Sequence, residues 1–117
     1  KVTTMYNMFH GCTYLTTLEV SNWDTSNVTD MHRLFQGCEY LTSLDLSNWD
    51  TSNVITMESM FHNCYKLTSL DVSNWDTSNV TRMDNLFNSC NEITNIDDLK
   101  VLLEKYGADI LEFSNID

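Results

Sequence analysis

The four cysteines of the chain, Cys12, Cys38, Cys64 and Cys90, stand at a constant interval of 26 residues. Phe9, Phe35, Phe61 and Phe87 keep the same step, as do Met5, Met31, Met57 and Met83, and Trp23, Trp49 and Trp75. A period held this strictly leaves few folds open. One unit is too short to close a core of its own, so it must bury its apolar side against its neighbours. The expectation is a solenoid with one coil per unit, in which like residues stand above like residues.

The rhythm of apolar residues changes inside each unit. Leu44, Asp45 and Leu46 alternate with the period of a short strand. Val54, Met57, Met60, Phe61 and Cys64 then recur with the spacing of one helical face, which predicts a helix of about three turns. Val2 to Cys12, Val28 to Cys38 and Val80 to Cys90 repeat the pattern. Between strand and helix lies Ser-Asn-Trp-Asp-Thr-Ser-Asn, identical at 21 to 27, 47 to 53 and 73 to 79. Its hydroxyls, amides and carboxylate can cap the helix that follows, although the text does not single out the capping residue.

The motif Leu-x-x-Leu-x-Leu, followed by a turn and a helix, resembles a leucine-rich repeat. The text SNWDTSNVTDM, with its later Leu-Phe and Cys, resembles the BspA-type branch found in bacterial surface proteins and lipoproteins. The likeness runs from about Val2 to Ile96. It implies an α/β, right-handed leucine-rich-repeat solenoid over 1–96, with short parallel strands on one face and short helices on the other. It also implies display on a bacterial cell surface and an adhesive role, and it brings no catalytic residues.

A chain of 117 residues allows a single domain of four to five such units. No stretch approaches the roughly 18 consecutive apolar residues of a membrane span, so no membrane insertion by this segment is expected. The chain opens part-way through a unit, at Lys1 and Val2, which suggests a fragment of a longer protein that is secreted or held at the cell surface. It also suggests self-association through an uncapped N-terminal end. Seventeen acidic residues against six basic ones give a net charge of −11. With so few, scattered cations, nucleic acid and anionic membrane surfaces are poor partners.

The repeat fixes candidate sites as columns. Glu19, Asp45, Asp71 and Asp97 fall between inward-facing residues of the strand segment and form a file of carboxylates, flanked by Thr17, Ser43, Ser69 and Asn95. Carboxylates one strand apart repel, so solvent, shifted protonation or a bound cation such as calcium must relieve them. This polar file is the expected contact surface for a protein or glycan of a host or neighbouring cell. Trp23, Trp49 and Trp75 form a second column. They are expected to stack on one another in the core with each indole N–H on a loop acceptor, or else to stand out as an aromatic strip for carbohydrate.

Each cysteine closes an apolar stripe and reads as a buried free thiol. Packed helices lie roughly 8 to 10 Å apart, beyond the ~7 Å that a disulfide spans, and a 26-residue spacing is foreign to zinc sites. His10 and His62 share a column interrupted by Gln36, and His32 stands in another, so no metal site or catalytic dyad is expected from them. The sequons at Asn27 and Asn79 read as by-products of the repeated text.

The pattern breaks after Ile96. Residues 97–117 predict a C-terminal capping helix with Leu99, Leu102, Leu103 and Tyr106 on one side and Gly107 as its stop. A ladder that repeats one group along a line lacks the converging unlike groups of an active site. The sequence therefore predicts a non-enzymatic binding module without a resident cofactor, with a structural stalk or spacer, calcium-stabilised or not, as the alternative.

Overall fold

The computed structural model describes residues 2–72 and 74–93. Consecutive units pair in parallel at a fixed register. Strand β1 (Ser43–Asp45) pairs in parallel with β2 (Ser69–Asp71), with Ser43 against Ser69, Leu44 against Leu70 and Asp45 against Asp71. Single parallel bridges run elsewhere in the unit, from Thr4 to Asp30, to Thr56 and to Arg82. The segments at 17 to 19 form no strand.

The predicted helices are absent. Among the described residues there are turns and two short strands but no helix, which overturns the strand-and-helix, leucine-rich-repeat solenoid expected over 1–96. The backbone shows why. An α-helix keeps each N–H for the carbonyl four residues back, whereas here alternate N–H groups leave their own unit. Met5, Asn7, Phe9 and Gly11 donate to the carbonyls of Asp30, His32, Leu34 and Gln36 at 2.8 to 3.1 Å, while Met8, His10 and Cys12 donate to the carbonyls three residues back. Met31, Arg33, Phe35 and Gly37 bind the third unit in the same way, and Met57, Ser59, Phe61 and Asn63 bind the fourth.

Two left-handed residues per unit bend the chain into this course: Asn7 and Gly11, Arg33 and Gly37, Ser59 and Asn63, Asn85 and Ser89. A left-handed residue ends right-handed helical propagation, so the apolar residues at offsets of three and four mark successive tight turns. The 97–117 capping helix lies outside the described residues.

The core is built of files along the stack. Phe9, Phe35, Phe61 and Phe87 lie ring on ring, with centroids 5.7 to 5.8 Å apart and planes within 8°, an offset stacking that aromatic rings favour. Met31, Leu34, Met57, Met60 and Leu86 are fully buried beside them, and Leu41, Leu44, Leu67 and Leu70 close the strand side. Buried threonines tie the remaining side. Thr25 Oγ1 donates to the Asp50 carbonyl at 3.2 Å and accepts the Asp50 N–H at 2.9 Å, and Thr51 does the same to Asp76 at 3.1 and 2.9 Å.

Candidate functional site

Leu44 and Leu70 point inward, and Ser43, Asp45 and Ser69 are exposed with Asp71 half-buried. Thr17 and Glu19 extend the exposed row by one unit, and a cleft of about 380 Å³ runs between Thr17, Leu18, Glu19, Ser43 and Asp45. Asn95 and Asp97 lie outside the described residues.

Two carboxylates of this row, Asp45 and Glu19, are held by local hydrogen bonds. Asp45 accepts the Ser47 N–H at 3.1 Å and the Ser47 hydroxyl at 2.6 Å. Glu19 likewise accepts the N–H of Ser21 at 3.0 Å and its hydroxyl. These hydrogen bonds from Ser21 and Ser47 hold both acids below their ordinary range, against smaller opposing effects of desolvation and, for Glu19, of the Asp45 charge. The stabilisation is local and comes from the serine two residues on. The same Asp-x-Ser clasp recurs in the next loop. Asp24 takes Ser26 and Asp50 takes Ser52 by N–H and hydroxyl, and Ser78 N–H reaches Asp76 at 3.0 Å.

The tryptophans share one relation to the core but do not stack on each other. Trp23, Trp49 and Trp75 lie against Phe9, Phe35 and Phe61, at 5.8 to 6.3 Å between centroids. Trp49 Nε1 donates to the Val20 carbonyl at 2.9 Å and Trp75 Nε1 to that of Leu46 at 3.3 Å. Trp49 is 2% exposed and Trp23 37%, so the column presents no continuous aromatic strip. Trp23 instead lines a cleft of about 540 Å³ with Val2, Met5 and Met8.

Cys38, Cys64 and Cys90 are buried free thiols, and Cys12 is half-buried. Each S–H of the buried three points at a carbonyl in the preceding unit: Cys38 to Phe9 at 3.3 Å, Cys64 to Phe35 at 3.2 Å and Cys90 to Phe61 at 2.9 Å. The distance argument against disulfides fails, however. Backbone bonds join the units beside the cysteines, so neighbours are about a strand spacing apart, ~4.8 Å, and not a helix spacing.

The turn side carries mixed charge. His32 Nδ1 meets Asp30 at 2.7 Å under the ring of Tyr6, and Arg82 clasps Asp84 through two contacts of 2.9 and 3.1 Å. Gln36 Nε2 donates to His62 Nδ1 at 2.8 Å, leaving the buried Gln36 Oε1 without a partner. Burial holds the His62 imidazole below its usual value. As expected, His10 and His62 are separated by Gln36. Among the described residues no three His, Cys, Asp or Glu side chains converge to hold a metal ion, and no helix is long and apolar enough to cross a membrane.

One feature escaped the sequence reading. Asn27, Asn53 and Asn79 form one wall, and Thr29, Ile55 and Thr81 the other, of a groove of about 610 Å³ along the stack. Its signal was present in the text, since Asn27-Val28-Thr29, Asn53-Val54-Ile55 and Asn79-Val80-Thr81 each place one buried valine between two outward residues.

No curated protein and no solved structure matches the chain. Residues 1–102 match a family described as "Mycoplasma protein of unknown function, DUF285", and the repeating chain described above belongs to that family.

Proposed function

We propose that the chain is a non-enzymatic binding module, displayed outside a bacterial cell, that meets a protein partner through the row Thr17, Glu19, Ser43, Asp45, Ser69 and Asp71. The observation that carries this reading is the clasp of Glu19 and Asp45 by Ser21 and Ser47. It keeps the carboxylates ionised, exposed and fixed in direction, so a basic segment of a partner meets prepaid order and acceptors already aimed. The likeness of SNWDTSNVTDM to BspA-type surface proteins supports the location.

The test is adhesion of protein-coated beads to host cells, with D45N/D71N compared at equal folded fraction. Adhesion falls severalfold if the row is the contact surface. Undiminished adhesion by a double variant that melts normally removes the proposal. It would favour the second reading, a spacer, which rests on the backbone bonds that join all four described units along one axis.

A further inference from the structure

The Asn/Thr groove differs from the acidic row in what it offers. Asn53 Nδ2 donates to the Ser26 carbonyl at 2.8 Å, and Asn79 Nδ2 to that of Ser52 at 2.7 Å. Thr29 and Thr81 commit their hydroxyl hydrogens to the carbonyls of Thr3 and Ile55 at 3.3 Å. One amide hydrogen of Asn53, one of Asn79 and the two hydroxyl hydrogens are thus taken by the preceding unit, so the groove offers chiefly acceptors, the asparagine Oδ1 atoms and the threonine lone pairs, beside the second N–H of each amide. Between Thr29 and Thr81 stands Ile55, 49% exposed, an aliphatic step in an otherwise polar wall. This wall is stiff. Thr29, Ile55 and Thr81 each donate a backbone N–H to the equivalent residue one unit before, at 2.7 to 2.9 Å.

A surface of this kind asks for a ligand that donates hydrogen bonds, carries no negative charge against a chain of net charge −11, and has an apolar edge. It also asks for a ligand with a repeat. The asparagine wall, which recurs every ~4.8 Å, presents the same contacts in several registers. To a uniform polymer these registers are equivalent, and each one adds to the association constant. Hydroxyl-rich rings with aliphatic faces, linked in an extended chain at about one ring per unit, meet all four requirements.

We infer that the groove formed by Asn27, Asn53, Asn79, Thr29, Ile55 and Thr81 is a binding site for an extended neutral polysaccharide, separate from the acidic row. The probes are β-1,4-linked glucose oligomers of two, four and six residues, titrated calorimetrically into the 117-residue chain. Affinity rises with length from dimer to hexamer as successive units are spanned. N53A removes one acceptor and weakens the hexamer about two- to tenfold, and I55D weakens it at least as much. K66Q, outside the groove, leaves it unchanged. Both groove residues are exposed, and a melting curve identifies any variant that fails to fold, in which case the other decides. Absence of hexamer binding, affinity indifferent to both groove changes, or selective binding of the cationic glucosamine oligomer overturns the site. Adhesion is tested with strand-row variants and this site with groove variants, so either can fail alone.

Discussion

At the scale of the residue, Thr51 shows how a unit is fastened to the next. It is 1% exposed, and its hydroxyl both donates to and accepts from the backbone of Asp76. The sequence marks this threonine as a helix-capping candidate, and the chemistry is of that kind: a short hydroxyl satisfying backbone groups. Its client is the following unit, 25 residues away, and no local pattern reveals that. Removing the hydroxyl while keeping the shape leaves a sheltered N–H without its acceptor, so T51V costs about 1–3 kcal/mol. T51S keeps the hydroxyl, loses a methyl and costs ~1 kcal/mol. Urea unfolding checks this: the midpoint falls in the order wild type, T51S, T51V, with unchanged slope. A valine variant as stable as the serine variant would mean that the Asp76 backbone does not depend on this hydroxyl.

At the scale of the element, the apolar spacing of Val54, Met57, Met60, Phe61 and Cys64 is legible as burial and misleading as secondary structure. All five are buried. Offsets of three and four describe one face of a helix, but they also describe the inward corners of consecutive turns. What tells the two apart is the residues between the apolar ones. Gly11, Gly37, Asn63 and Ser89 share a column, and all have positive φ; turn-forming residues at a fixed place inside a supposed helix are the signal that outweighs the periodicity.

The two readings give opposite signs for one substitution. In a helix interior G37A stabilises by roughly 0.5–1 kcal/mol. In the structure Gly37 has φ +80°, and an added Cβ would meet only Gly11 backbone atoms at 3.5 Å, an ordinary contact. The cost is then conformational alone, about 1–2 kcal/mol of destabilisation. Thermal melting of G37A reports the sign directly.

At the scale of the whole molecule, the 26-residue period was fully readable, and with it the files of phenylalanine, methionine and cysteine, because stacking like on like depends only on register. The side on which units touch was not readable, since strands, helices and turns can all repeat at that interval. The consequence reaches the thiols. With backbone bonds on the turn side as well as the strand side, Cys38 and Cys64 are enclosed between units whose separation requires breaking several of those bonds at once, and Cys90 is buried against the third unit. Burial pushes the Cys38 thiol up to about 12, and the neighbouring Cys90 thiol together with burial raises that of Cys64. Modification needs the sulfur within reach of reagent, so the three buried cysteines wait on opening of the stack, while half-buried Cys12 does not. Under reducing pretreatment, a thiol reagent therefore labels one cysteine quickly. It labels the other three at rates that rise with urea along the slope of global unfolding. Rapid labelling of all four in the absence of denaturant would show that the units part individually, and the stack would then be a series of weakly joined layers instead of one cooperative body.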